Sequence, residues 1–185
     1  MPHALLHEIF TSASLALPPT ANEGHIVVGG THYFAKTSAH ASAKQVRAEA
    51  ASLAAMARTA PAGLVPRILG YRERDGVVAL VTGYAGGRRG DMRLLGERLA
   101  KMHIPPPREE GEQEQEQEQE DMTRPPTMYT GEYGFPVPTF CGATEQDNTW
   151  TVSWEDFFRD RRLGSLVERI GEGRVTAMWK KMLHR

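Results

Sequence analysis

An α+β fold is predicted for this 185-residue chain: a small antiparallel sheet carrying one helix, then a glycine-rich connector, then helices. Three observations predict it. Two pairs of short apolar runs are each joined by a turn-forming dipeptide, Gly29-Gly30 and Asp75-Gly76. Between the pairs lies an alanine-rich segment with apolar residues at helical spacing. Beyond Gly90 apolar residues recur at helical spacing in the segments starting near Asp91, Ser153 and Arg174.

The elements follow in order. Pro2–Phe10 is expected to be a short helix with Leu5, Leu6, Ile9 and Phe10 apolar. Ser12–Leu17 alternates small polar and apolar residues and is expected to be an edge strand, ended by Pro18-Pro19. His25–Val28 and His32–Thr37 form the first hairpin, because glycine takes positive φ without steric cost; Lys36 ends its second strand. A helix runs from about Ser42 to Arg58, with Val46, Ala50, Leu53 and Ala57 on one face and Glu49 near its middle. Pro61, Gly63 and Pro66 break the chain. Arg67–Arg72 and Gly76–Thr82 form the second hairpin, and the unbroken apolar run VVALVT predicts a strand covered on both faces. Gly83–Gly90 is the connector. Asp91 then caps a helix to His103, with Met92, Leu95, Leu99 and Met102 as its stripe, stopped by Pro105-Pro106-Pro107.

Residues 108–127 hold a Glu-Gln repeat between proline clusters, which has no apolar surface to bury and is expected to be a solvated, disordered insertion. Met128–Asn148 reads as an ordered loop rich in aromatics, proline and glycine. Ser153, with Asp156 three residues on, starts a helix whose buried face is Trp154, Phe157 and Phe158, and which continues or restarts through Leu163–Ile170. Gly171-Glu172-Gly173 breaks it, and Arg174–Leu183 forms a last helix with Val175, Met178, Trp179 and Met182 on one face. The expected domains are therefore 1–82, a 83–90 connector, and 91–185.

Composition narrows the function. The net charge of −1 gives no reason to expect nucleic acid or an anionic membrane as partner. One cysteine, Cys141, allows no intrachain disulfide, and seven scattered histidines form no zinc motif. The start MPHALLHEIF lacks a basic segment followed by a sustained apolar run, and no stretch approaches the ~18 apolar residues that span a bilayer, so a cytoplasmic protein is expected.

A lysine on a strand, followed by a glutamate on the next helix, is how protein kinases hold the α/β-phosphates of ATP. Hairpin, helix, hairpin, glycine-rich connector and helices is also the order of a kinase small lobe, hinge and first part of a large lobe. Taken alone, Lys36 reads more often as a solvated lysine and Glu49 as a surface helix charge, whose role stands only with Lys36.

More specific are Tyr133-Gly134-Phe135, Cys141-Gly142, Gln146-Asp147-Asn148-Thr149-Trp150, and Trp154, Phe157-Phe158 and Arg162 in W-x-x-F-F-x-x-x-R. With YFAK ending at Lys36, R-x-E-x-x-S-L from Arg47 to Leu53, and L-G-x-x-L-A-x-x-H ending at His103, these make Gly24–Ile170 resemble the fructosamine-3-kinase and ketosamine-3-kinase (protein-ribulosamine kinase) family. The resemblance implies a protein-kinase-like, aminoglycoside-phosphotransferase-type two-lobe fold, with the small β lobe nearly complete and the helical lobe incomplete. It implies ATP, with Mg²⁺, as cofactor and glycated protein lysine adducts as substrates. The implied reaction phosphorylates the ketosamine 3-hydroxyl, after which the adduct decomposes and the protein is deglycated. Residue by residue, Lys36 matches the phosphate-pairing lysine and Glu49 the glutamate that positions it. Thr82, Gly83 and Tyr84 match the hinge, whose backbone groups would meet the adenine edge.

The departures are as specific. The family's H-G-D-L-W-x-G-N loop, with its catalytic Asp and metal-binding Asn, is absent, so no catalytic or metal-binding residue is assigned. No glycine lies between Ser12 and Glu23, where a glycine-rich loop would cover the phosphates. The expectation is the first three-fifths of such a kinase, without transfer activity of its own. Other expectations are a non-catalytic nucleotide-binding module, a non-functional fragment, and a small-molecule kinase of the aminoglycoside or choline type. His103, at a helix C-terminus, reads as structural, Cys141 as a lone thiol in a packed loop, and Trp150 as core; Arg159, Arg161 and Arg162 either pair locally or face the cleft.

Overall fold

The computed structural model describes residues 2–19, 21–86, 90–104 and 131–183. The expected insertion at 108–127 lies outside the described residues, as do Pro105-Pro106-Pro107. By packing, the described residues up to 104 form one unit and those from 131 a second.

Two turns set up the sheet of the first unit. Gly29 and Gly30 take φ of 56° and 78°, and Asp75 and Gly76 take 53° and 71°; this left-handed region matches the twist of a two-residue hairpin. They join β1 (Gly24–Val28) to β2 (Thr31–Ala39), and β3 (Ile68–Arg74) to β4 (Val77–Gly83). The strands run antiparallel in the order β1-β2-β4-β3, with Lys36 opposite Leu80. Lys36 is thus interior to β2 rather than its last residue: Thr37, Ser38 and Ala39 go on to pair with Ala79, Val78 and Val77.

Val78, Ala79, Leu80 and Val81 are all buried because helices cover both faces of β4. On one face α1 (Pro2–Ser12) brings Leu5, Leu6, Ile9 and Phe10 against Ala79, Val81 and Ala35. On the other, α2 (Ala43–Thr59) brings Ala43, Val46 and Ala50 against Val78 and Leu80. Fully burying one such Leu, Ile or Phe contributes about 1.5–3 kcal/mol, so these two seams account for much of the unit's stability.

The expected edge strand at Ser12–Leu17 does not form. Ser14 has φ of 58°, and the amides of Ala13, Ser14 and Leu15 bond back to carbonyls of Ile9, Phe10 and Thr11. The chain curls off the end of α1, and Leu15 and Leu17 pack on the core from a turn. The last described helix of this unit, α3 (Met92–Met102), is capped as expected: the Asp91 carboxylate accepts from the amides of Arg93 and Leu94 at 2.9 and 3.2 Å. Its stripe remains largely exposed, Leu95 and Leu99 included.

In the second unit the segment expected to be loop contains a small hairpin, β5 (Thr139–Cys141) with β6 (Thr144–Gln146), turned at Gly142 with φ of 61°. Cys141 is exposed there rather than packed. Ser153 Oγ accepts from the Asp156 amide at 3.1 Å and starts α4 (Trp154–Asp156). The helix widens into a π-helical segment, Phe157–Gly164, and continues as α5 (Ser165–Ile170). Gly171, left-handed with φ of 64°, ends it, and α6 (Gly173–Leu183) follows. Of the three aromatics expected on the buried face only Phe157 is buried. Trp154 is 54 % exposed and Phe158 44 %, although the rings share one face, Trp154 stacking on Phe157 at 5.9 Å and on Phe158 at 5.7 Å.

Candidate functional site

Side chains alternate across a strand, so Phe34 and Lys36 project from one face of β2 while Ala35 faces α1. That face carries α2, and the next helical residue within reach of Lys36 is Glu49. Lys36 Nζ donates to both Glu49 carboxylate oxygens, at 2.6 and 2.7 Å. The two side chains are 43 % and 38 % exposed. An ion pair this open contributes only about 0–1 kcal/mol to stability, so its main effect is to fix the direction of the ammonium.

All five residues singled out from the sequence, Lys36, Glu49, Thr82, Gly83 and Tyr84, line one recess of about 230 Å³ within the first unit. Phe34, Pro66, Leu80 and Ala85 complete it. Sequence reasoning did not single out Phe34, yet the period-2 rule finds it, two residues before Lys36 on the same face. Its ring centroid lies 6.0 Å from the Lys36 ammonium. At the connector the sheet has already taken two donors: the Gly83 amide bonds Arg67 O at 2.8 Å and the Tyr84 amide bonds His32 O at 3.0 Å. Any further contact by those two residues falls to their carbonyl oxygens and to the Tyr84 ring.

The cation, its carboxylate brace and the apolar wall of Phe34 and Leu80 fit part of a nucleoside triphosphate. At about 230 Å³ the recess is smaller than the ~300–1,000 Å³ of common ligand pockets. The residues present do not fit Mg²⁺. Glu49, the one carboxylate in the recess, is engaged by Lys36, and no group of three or more His, Cys, Asp or Glu converges among the described residues.

Two larger recesses lie in the second unit. One, of about 650 Å³, is bounded by Phe135, Pro138, Asp147, Asn148, Trp150 and Arg169 among others. Its polar groups are engaged internally. The Asp147 carboxylate accepts from the Thr149 amide (2.9 Å), the Thr149 hydroxyl (2.6 Å) and Arg161 (2.7 Å). The Thr149 bonds are the chief reason its carboxyl lies below the usual carboxylate range. Buried Asn148 donates to Val137 O and Thr139 Oγ1, and its Oδ1 accepts from Arg162 at 2.5 Å. Arg162 also bonds Asp147 O at 2.7 Å and lies 4.3 Å over the Phe157 ring; burial holds its own pKa down. Arg159 pairs with Asp156 and Asp160. All three arginines therefore pair within their own unit. The other recess, about 790 Å³, is walled by Trp154, Phe158, Leu163 and Trp179 together with the charged Glu155, Arg159 and Asp160.

A family model described as fructosamine kinase matches residues 8–184 of the chain. The chain belongs to the fructosamine kinase family. Among curated relatives of this family member, a chloroplastic protein-ribulosamine 3-kinase of Oryza sativa subsp. indica is 34 % identical over 85 residues, 46 % of the chain and 19 % of the relative. A Synechocystis protein named as a ketoamine kinase is 31 % identical over 147 residues, 77 % of the chain and 42 % of the relative. The chain thus spans less than half the length of either. A crystal structure named for a fructosamine-3-kinase from Haemophilus somnus 129PT superposes with a TM-score of 0.60 at 18 % identity, over 90 % of this chain and 54 % of that one. That likeness carries the fold: α+β and kinase-like. No helix among the described residues is long and apolar enough to cross a membrane.

Proposed function

We propose that the recess around Lys36 is an ATP site, and that the chain is the nucleotide-holding part of a kinase for ribulosamine or fructosamine adducts on protein lysines. The observation that carries this reading is the Lys36–Glu49 pair, at 2.6 and 2.7 Å, in one recess with Thr82, Gly83 and Tyr84. Lys36 attracts the α/β-phosphates as a point charge, and Glu49 keeps it aimed at them. The base lies toward Phe34 and Tyr84, donating its hydrogen bonds to connector carbonyls rather than receiving them from the Gly83 and Tyr84 amides, which the sheet already engages. We further propose that the functional division of the chain falls at the connector, residues 83–90, ahead of α3, which by packing belongs with the first unit. No His-Gly-Asp occurs in the sequence, so these 185 residues hold nucleotide without completing the transfer by themselves.

The test is calorimetry with ATP on the full chain and on Lys36→Ala. A charged hydrogen bond contributes about 1.5–3 kcal/mol, so the variant binds roughly 10–100-fold more weakly. Its melting temperature without ATP stays near the parent's, since the pair is an open one. No heat and no thermal shift at millimolar ATP would refute the nucleotide reading; phosphate transfer to a ribulosamine peptide by the purified chain would refute only the claim of incompleteness.

A further inference from the structure

Near the open end of that same sheet face lies a group to which the nucleotide reading gives no role. In the β1–β2 register His25 lies opposite Phe34, and His32 opposite Val27. Facing residues share a side of the sheet, so both histidines project from the face that carries Lys36. Their rings meet nearly edge to edge: His25 Nε2 and His32 Nδ1 are 2.8 Å apart, centroids 4.9 Å, planes inclined by 27°. The Tyr84 ring packs against His25 at 4.5 Å and near His32 at 6.4 Å, restricting both. All three side chains are exposed.

We propose that His25 and His32 form a two-imidazole site for a divalent transition metal ion, with Zn²⁺, Ni²⁺ or Cu²⁺ as the class of ligand. Nitrogens bound to one metal at ~2.0–2.1 Å, with ligand angles of about 90–110°, stand about 2.9–3.4 Å apart. The two facing nitrogens are already within a few tenths of an ångström of that spacing, on a rigid hairpin, so modest ring rotations bring both lone pairs onto one ion. Each neutral imidazole carries one N–H. In the hydrogen-bonded pair one of those protons lies between the rings. On metal binding it moves by tautomerisation to the outward nitrogen, leaving the protons on His25 Nδ1 and His32 Nε2, with none released and no charge lost from either ring. Imidazole favours these three ions over Mg²⁺ or Ca²⁺. No third His, Cys, Asp or Glu joins the pair among the described residues, so water fills the remaining positions and the affinity is moderate.

The experiment is titration of Zn²⁺ into the full chain by calorimetry, for the parent, His25→Ala, His32→Ala and the double variant His3→Ala/His7→Ala. The last removes exposed histidines four residues apart on α1, a competing pair. The expected result is binding that weakens at least about tenfold in each of the first two variants and survives in the double variant. Equal affinity in the parent and in His25→Ala or His32→Ala, or loss confined to the α1 variant, overturns the proposal. Long-range ¹H–¹⁵N spectra of the parent give a second reading free of any folding defect: Zn²⁺ must move the His25 Nε2 and His32 Nδ1 resonances, and an unmoved pair is equally fatal.

Discussion

Asp147 and Arg162 show how single residues hold the second unit's hairpin to its helix. Asp147's carboxyl is depressed, by Thr149 first and Arg161 after it. A depressed carboxyl contributes stability that is full above its unfolded pKa and is lost as pH falls through the folded one. The melting difference between the parent and Asp147→Asn should therefore be greatest near neutral pH and shrink through the range below about pH 4; a difference that grows in acid contradicts the assignment. Arg162→Ala should cost about 1–3 kcal/mol in urea unfolding, because it leaves the Oδ1 of buried Asn148 without its donor. Lysine should not restore it, since one ammonium lacks the planar fork that reaches both Asn148 and Asp147.

At the scale of elements, α1 and β3 meet at Gly70. A Cβ there would stand 2.7 Å from Ile9 Cγ2 and 3.4 Å from Ile9 Cβ, and Ile9 is buried. Gly70→Ala should thus destabilise by about 1–3 kcal/mol through overpacking, read as a lower urea midpoint at unchanged slope. Both large hairpins, α2 and the α3 cap were legible in the sequence because each rests on a local rule: positive φ at Gly29-Gly30 and Asp75-Gly76, helical spacing, a carboxylate before free amides. The failures have separate causes. Ser12–Leu17 alternates like a strand, but the polypeptide was already committed to closing off α1. The three-residue strands at Thr139–Cys141 and Thr144–Gln146 are too short to show alternation. Trp154, Phe157 and Phe158 do share one stacked face, but spacing alone does not say how much of such a face is covered, and only Phe157 is buried. The Lys36–Glu49 pairing was legible as residue types in order, whereas the packing of α2 that brings the two together was not.

For the molecule as a whole, a net charge of −1 provides no general field to gather a polyanion, so the proposed ATP site requires the attraction to come from the residues around Lys36. Hydrogen exchange should show it. ATP is expected to slow exchange in peptides covering β2, α2 and β4, and to leave the 154–170 helix unchanged. Protection centred on that helix instead would relocate the site to the other unit.

The wide turn at Phe157–Gly164 has a consequence of another kind. Ser165 N–H reaches back five residues to Asp160 O, so this stretch holds more chain per turn than an α-helix does. Relaxation of the same eight residues to α-helix, with none lost, would swing everything beyond them by about 100° around the axis. Arg169, which donates to Glu145 O from α5, would be turned away from the hairpin without any change of its own chemistry. The width of this turn, more than the identity of the residues at 159 and 160, therefore sets which way α5 faces.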